Sequence, residues 1–126
     1  MTANDIQKYS KYTTAQLKVK AQRKFNEFIR KRDDGLGCIS CGSFNEIQAG
    51  HFYSAGHHNN LRFNPDNCNS QCKRCNYFLS GNLVKYRANL INKIGIERVE
   101  QLDMLSAVKS TKNDRFLYIE ILTKKL

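Results

Sequence analysis

Two Cys-x-x-Cys pairs, Cys38–Cys41 and Cys72–Cys75, bracket an insert of 30 residues. A turn of this kind brings two thiolates within reach of one tetrahedral ion at about 2.3 Å each, and two such turns complete a closed four-sulfur site. A closed site leaves no open position for substrate, so its role is structural. Its affinity would feed into folding by on the order of 10 kcal/mol. A pair of redox dithiols or of unrelated turns would have to arise twice by accident. The fifth cysteine, Cys68, reads as a small, partly buried side chain that is close enough to be an alternative ligand.

The insert between the pairs, longer than in the common zinc fingers, carries groups of another chemistry. His51 stands in Ala49-Gly50-His51-Phe52-Tyr53, Asn67 five residues before Cys72, and Asn76 directly after Cys75. Histidine titrates near neutral pH and suits a base that takes a proton from water. An asparagine carbonyl is a hard oxygen ligand for Mg2+ or Mn2+. Activated water and a hard cation are what phosphodiester hydrolysis requires. Taken singly, these are ordinary residues: Asn67 follows the turn Pro65-Asp66, and Asn76 reads as a helix-terminus residue. Their grouping on one metal-binding frame gives the sharper reading.

The rest of the composition fits a polyanionic partner. Lys and Arg number 21 against 11 Asp and Glu in 126 residues, a formal net charge of +10. Nucleic acid is the first candidate and an anionic membrane the second; a basic surface kept for solubility is the plain alternative. No apolar run approaches the roughly 20 residues of a spanning helix. The polar start, Met1 to Tyr12, does not read as a signal peptide, so a cytoplasmic protein without disulfides is expected.

The elements that must position these groups read as one domain. Residues 1–12 are expected to be flexible and 13–126 to form a single unit. Within it lie a basic helix (13–35), a loop-rich metal-bearing core (37–80) and a helical C-terminal part (81–126). Thr13-Thr14-Ala15-Gln16 has the form of a capping box. Apolar residues then recur at Leu17, Ala21, Phe25, Phe28 and Ile29, with Gly35 closing the helix. Its other faces include Lys18, Arg23 and Lys24, expected to meet DNA phosphates, as are Lys85, Arg87 and Lys93. Two short strands are predicted near Ile47–Tyr53 and Leu61–Phe63. Alternation in the second would turn Arg62 away from its apolar neighbours, toward a phosphate or into a structural ion pair. A short helix is predicted near Cys72, then helices over Leu83–Ile94 and Glu97–Leu102. Arg115–Lys125 is an edge strand or, preferably, a helix capped by Asn113 or Asp114.

The runs Cys38-Ile39-Ser40-Cys41-Gly42, Ala49-Gly50-His51-Phe52, Leu61-Arg62-Phe63-Asn64, Asn67, and Gln71-Cys72-x-x-Cys75-Asn76 continue into Ser80-Gly81-Asn82-Leu83-Val84-x-Tyr86-Arg87. Together they resemble the phage lambda NinG (Rap) recombination endonuclease family, from about Tyr12 to Leu102. A more distant likeness is to the junction resolvase phage T4 endonuclease VII, which pairs two CxxC knuckles with an Asn after the last Cys. The resemblance implies an α+β fold: a small zinc-stapled HNH (ββα-metal) core with flanking α-helices. It implies a structure-selective endonuclease cutting Holliday junctions or D-loops to leave a 5′-phosphate and a 3′-hydroxyl. His51 would be the general base, Asn67 would tie the His-bearing loop, and Asn76 would hold a catalytic Mg2+ or Mn2+. Zinc would be structural at Cys38, Cys41, Cys72 and Cys75. Resolution of a four-way junction favours a homodimer, with other phage recombination proteins as further partners in the host cytoplasm.

One position departs from the pattern. Many HNH enzymes carry an acidic or histidine ligand just before the base, where this chain has Gly50. His57, His58 and Gln48 are candidates for a replacement ligand, although surface-loop roles suit them equally. A non-catalytic zinc DNA-binding module is therefore the competing reading. A deaminase fits poorly, because His51 is followed by Phe52-Tyr53 rather than by x-Glu.

Overall fold

A computed structural model describes residues 1–126. Its longest element is helix α2, Thr14–Arg32, capped as the sequence predicts: Thr13 Oγ1 accepts from Gln16 N, and Gln16 Oε1 accepts from Thr13 N. Leu17, Ala21, Phe25 and Ile29 are its buried residues, each four after the last, so one narrow stripe carries the packing. Asp33 follows as C-cap, behind Arg30, Lys31 and Arg32, whose charges favour the negative end of the helix dipole.

Two partners share that stripe. Helix α5, Arg115–Thr123, covers its N-terminal half through Tyr118, Ile119 and Ile121. Asp114 caps α5 by accepting from Leu117 N. The C-terminal half packs on Cys68, with Ala49 and Phe63 beside it. Phe63 joins the two halves, its ring 5.6 Å from Phe25 and 6.1 Å from Tyr118. Residues 1–12 contain helix α1, Ala3–Lys8, with a capping box at Thr2 and no buried residue. Arg115 holds the following segment by donating to the carbonyls of Tyr9 and Tyr12.

Strands β1, Ile47–His51, and β2, Cys68–Cys72, form an antiparallel two-stranded sheet, running from Ile47 opposite Cys72 to His51 opposite Cys68. The sequence places the second strand at Leu61–Phe63, and the structure corrects this. Leu61 ends a 3₁₀ turn, Asn59–Leu61, and Arg62 caps it. β2 reads Cys-Asn-Ser-Gln-Cys and all five residues are buried. It has no apolar alternation because its side chains meet polar partners rather than an apolar face, Gln71 Oε1 alone being buried without one. A two-stranded sheet is marginal in water, and this one is supported by α2 and by helix α3, Leu83–Ile94.

Gly95, at φ 91°, turns the chain from α3 into α4, Ile96–Ser106. Phe52, Leu61, Tyr86, Leu90, Val99 and Leu102 form the core between these helices and the hairpin loop. Burial of each large side chain contributes about 2 kcal/mol. The helix predicted near Cys72 is a π-helical turn, Arg74–Phe78. The fold is thus mixed α+β, with helices flanking a small sheet, and no helix is long and apolar enough to cross a membrane.

Candidate functional site

The knuckles converge at one end of the hairpin. Cys38 and Cys41 lie in the loop before β1, Cys72 ends β2, and Cys75 sits in the π-helical turn. Their sulfurs all lie within 4.8 Å of one another, and Cys41 Sγ is 3.6 Å from Cys72 Sγ. A tetrahedron with 2.3 Å bonds has edges of roughly 3.8 Å, so the group fits zinc. Backbone N–H groups of Ser40 and Cys41 donate to Cys38 Sγ, that of Cys75 to Cys72 Sγ, and the Asn82 amide to Cys75 Sγ. Burial opposes the Cys38 thiolate, yet surrounding N–H groups bring that thiol down to about 7. Burial first, then the neighbouring thiols, push Cys72 up and Cys75 to about 12. One thiolate is readily accommodated; a full set needs a cation among them.

Cys68 takes no part in this cluster. It lies at the other end of the hairpin, fully buried against Phe25 and Ile29, with its thiol pushed up to about 12 by that burial.

His51 occupies that same far end. Its Nε2–H donates to the Arg62 carbonyl at 2.9 Å, which leaves Nδ1 as the free lone pair. Burial is the main influence lowering its pKa and the Arg62 charge adds to it, against the carbonyl bond that favours the charged form. The imidazole is therefore neutral at neutral pH, as a base must be. Asn67, fully buried, spans the loop that follows. Its Oδ1 accepts from Tyr53 N at 2.9 Å, and its Nδ2 donates to the carbonyls of Tyr53 and Leu61.

Asn76 Nδ2 donates to Gln48 Oε1 at 2.9 Å, so the amide is held with its own Oδ1 unpartnered. His51 and Asn76 line one cleft of about 430 Å³ together with Tyr53, His58, Ser80 and Leu83. Of the three candidate extra ligands, only His58 lines this cleft. His57 turns to the Ser54 hydroxyl at 2.8 Å, and Gln48 serves Asn76. No carboxylate lines the cleft. Position 50 is closed to any side chain: a Cβ there would collide with Gln71 Oε1 and lie 2.8 Å from Gln71 Cβ.

The basic residues divide into free and engaged. Lys18, Arg23 and Arg30 share a groove of about 600 Å³ along α2. Lys85 is exposed beside the first knuckle. Arg62, in no strand and in no ion pair, donates to Asn59 Oδ1, Gln22 Oε1 and the Ala55 carbonyl while its own carbonyl holds His51. Arg87 grips Asp103 through both oxygens, Lys93 binds Asp33 and Asn69, and Lys24 reaches the carbonyls of Leu122 and Lys124.

Sequence reasoning missed the polar network behind the cleft. Tyr86 OH donates to the Gly50 carbonyl at 2.6 Å and accepts from Asn69 Nδ2. Asn69 Oδ1 accepts from Arg32 and Lys93, which both also bind Asp33. Only Tyr86 carried a signal, its place on the helical stripe with Leu90.

Comparison with known sequences agrees over most of the chain. The family model described as Bacteriophage Lambda NinG protein matches residues 3–123. Proteins named Protein ninG from Escherichia phage lambda and Escherichia phage 933W are each 47% identical over 85 residues, and one from Salmonella phage P22 is 46% identical over the same length. The matched stretch is 66% of this chain but 42% of each relative, so the chain matches less than half of their length. No solved structure matches.

Proposed function

The chain belongs to the phage lambda NinG family, and on that premise we propose that it is a metal-dependent HNH-type endonuclease acting on branched DNA. The observation that carries this reading is the cleft itself. A neutral, tautomer-fixed histidine faces the same space as an asparagine carbonyl left free of protein partners. Both are positioned by elements that the four-thiol cluster ties together.

In this reading His51 Nδ1 accepts the proton as a water oxygen attacks phosphorus and the 3′-oxygen leaves, giving a 5′-phosphate and a 3′-hydroxyl. The Arg62 carbonyl, already bonded at Nε2, favours the imidazolium that forms. Asn67 fixes the Tyr53 peptide, and with it the exit of the chain from His51. Asn76 Oδ1, with His58 and Ser80 nearby, suits a Mg2+ or Mn2+ ion that retains most of its waters; bound there, it would neutralise charge on the leaving oxygen. Cys38, Cys41, Cys72 and Cys75 hold one structural zinc. Lys18, Arg23 and Arg30 meet backbone phosphates, with a log–log salt slope of about −0.9 per phosphate on duplex DNA. Cutting opposed strands of a junction calls for a homodimer. A phage or prophage origin, further recombination proteins as partners and the host cytoplasm complete the reading.

The test uses a labelled four-way junction and a matched linear duplex, with and without Mg2+ or Mn2+. Junction cleavage that requires metal and disappears in His51→Ala, while junction binding persists, supports the proposal. Unchanged cleavage by His51→Ala removes His51 as the base. One observation favours a second reading, a zinc module that binds DNA without cutting. The cleft has no carboxylate, and Gln71 blocks the position where one would be added. Tight junction binding with no cleavage under either ion would establish that reading.

A further inference from the structure

The π-helical turn Arg74–Phe78 carries three kinds of residue in five positions: Cys75 of the thiol cluster, Asn76 of the cleft, and an aromatic pair. Tyr77 and Phe78 are 72% and 68% exposed, their rings 5.0 Å apart and nearly perpendicular at 87°. Leu79, Leu83 and Val84, close behind in sequence, are exposed as well, and Leu83 also lines the cleft. Large apolar side chains held together in water mark a contact surface.

The backbone holds them there deliberately. Leu79 N donates to the Arg74 carbonyl and Gly81 N to the Cys75 carbonyl, closing the turn. Ser80 and Asn82 then lie at φ 51° and 45°, in the left-handed region that L-residues avoid unless the surroundings require it. The rings therefore stand on a fixed base beside the cleft.

Charge decides what covers them. From Asn67 to Ile96 the sequence contains no Asp or Glu but five cations; Arg87 and Lys93 are paired with Asp103 and Asp33, which leaves Lys73, Arg74 and Lys85 outside any ion pair. Arg74 and Lys85, both exposed, flank the stretch Tyr77–Val84 in sequence. A second copy of this chain docked on it about a twofold axis would set those cations against their equals. A polyanion meets them favourably. Paired duplex hides the faces of its bases, whereas unpaired bases stack on aromatic rings without regard to sequence.

We propose that Tyr77 and Phe78 are a stacking platform for unpaired bases, by which the protein recognises a branch point beside its cleft. The proposal rests on the endonuclease reading for the identity of that cleft.

The test measures binding with no divalent ion added. The probes are a junction carrying 2-aminopurine at its branch point, oligothymidylate, and a linear duplex. Wild-type protein should change the 2-aminopurine fluorescence. A Tyr77→Leu, Phe78→Leu double variant keeps apolar bulk but no ring. It should lose about tenfold or more in affinity for the junction and oligothymidylate, and stay within about twofold on duplex. Tyr77→Phe should retain full binding. Zinc content and circular dichroism establish that the variants are folded. Unchanged junction and oligothymidylate binding by the double variant overturns the platform. So does a wild-type dimer that the double variant converts to monomer in sedimentation, because the surface would then be a self-interface. Ring-dependent junction binding by a wild-type protein that never cleaves would leave the platform standing and remove the nuclease reading instead.

Discussion

The two ends of the hairpin are fixed by different means. At the Ile47–Cys72 end, four thiols converge in a geometry that could hold one metal ion, with Ile47 packed against them and the Asn82 amide donating to Cys75 Sγ. At the His51–Cys68 end, Asn67, Arg62 and Tyr86 form a web of hydrogen bonds to backbone, and Cys68 is packed against α2. The first end has little apolar packing, Ile47 against three of the cysteines, and its rigidity would come from a metal bound among the thiols. The second must be built from buried polar groups, each with its partner. Buried polar groups leave carbonyls and imidazole nitrogens where chemistry can use them, and a closed thiolate site does not. The thiol cluster and His51 therefore stand at opposite ends of five residue pairs, and Asn76, held by Gln48 beside the knuckles, reaches the cleft from the first end.

Removing the metal tests this division most severely. Chelation should cost on the order of 10 kcal/mol and unfold the knuckle end, followed by circular dichroism and thiol titration. If amide exchange at Tyr53 stayed slow in the stripped protein, the two ends would be independent rather than one cooperative unit. Next in size is Asp33→Ala, which strands Arg32, Lys93 and Ser70 N and should cost about 3–5 kcal/mol in chemical denaturation. Burial would raise this carboxyl, but those three partners hold it down at about 2 against an ordinary 3.8. Its folded pKa is depressed, so its contribution is present above pH 3.8 and is lost as pH falls through about 2.

Asn67→Ala should cost about 2–3 kcal/mol, since two backbone carbonyls and an N–H lose their partner. It should also slow junction cleavage while leaving zinc content intact, which separates the two ends in one measurement. Cys68→Ala should cost only about 1 kcal/mol and leave one zinc per chain, read by atomic absorption. Loss of zinc in that variant would return Cys68 to the ligand set. The smallest effect concerns pH. With the His51 pKa depressed below 6.5, cleavage should rise with pH to a plateau, its midpoint below that value. A midpoint above it would mean that the buried environment of His51 does not persist in the DNA complex.

Helices α2 to α5 were readable because each rests on a local rule. Thr13 and Gln16 cap α2, four apolar residues at intervals of four set its face, and Gly95 ends α3. The knuckles were readable because cysteine spacing is itself the geometry. β2 was not, because hydrophobic alternation is absent from Cys-Asn-Ser-Gln-Cys and its burial depends on Asp33, Arg32, Lys93 and Tyr86, all distant in sequence. Arg62 was placed by alternation in a strand that does not exist; its use lies in its carbonyl, which no side-chain pattern reveals. His51 and Asn76 could be named, but that they share one cleft needed the fold.

With an ion bound among its four sulfurs, the cluster would close a ring of chain, from Cys41 around to Cys72. The entropy of closing such a ring grows only with the logarithm of its length, about 0.6 kcal/mol for each doubling. Extra residues in the exposed stretch at Gly56 and His57, on this ring but outside both strands, would thus cost little so long as the clasp holds. A metal held there would fix the ends of the segment and leave its length free to change.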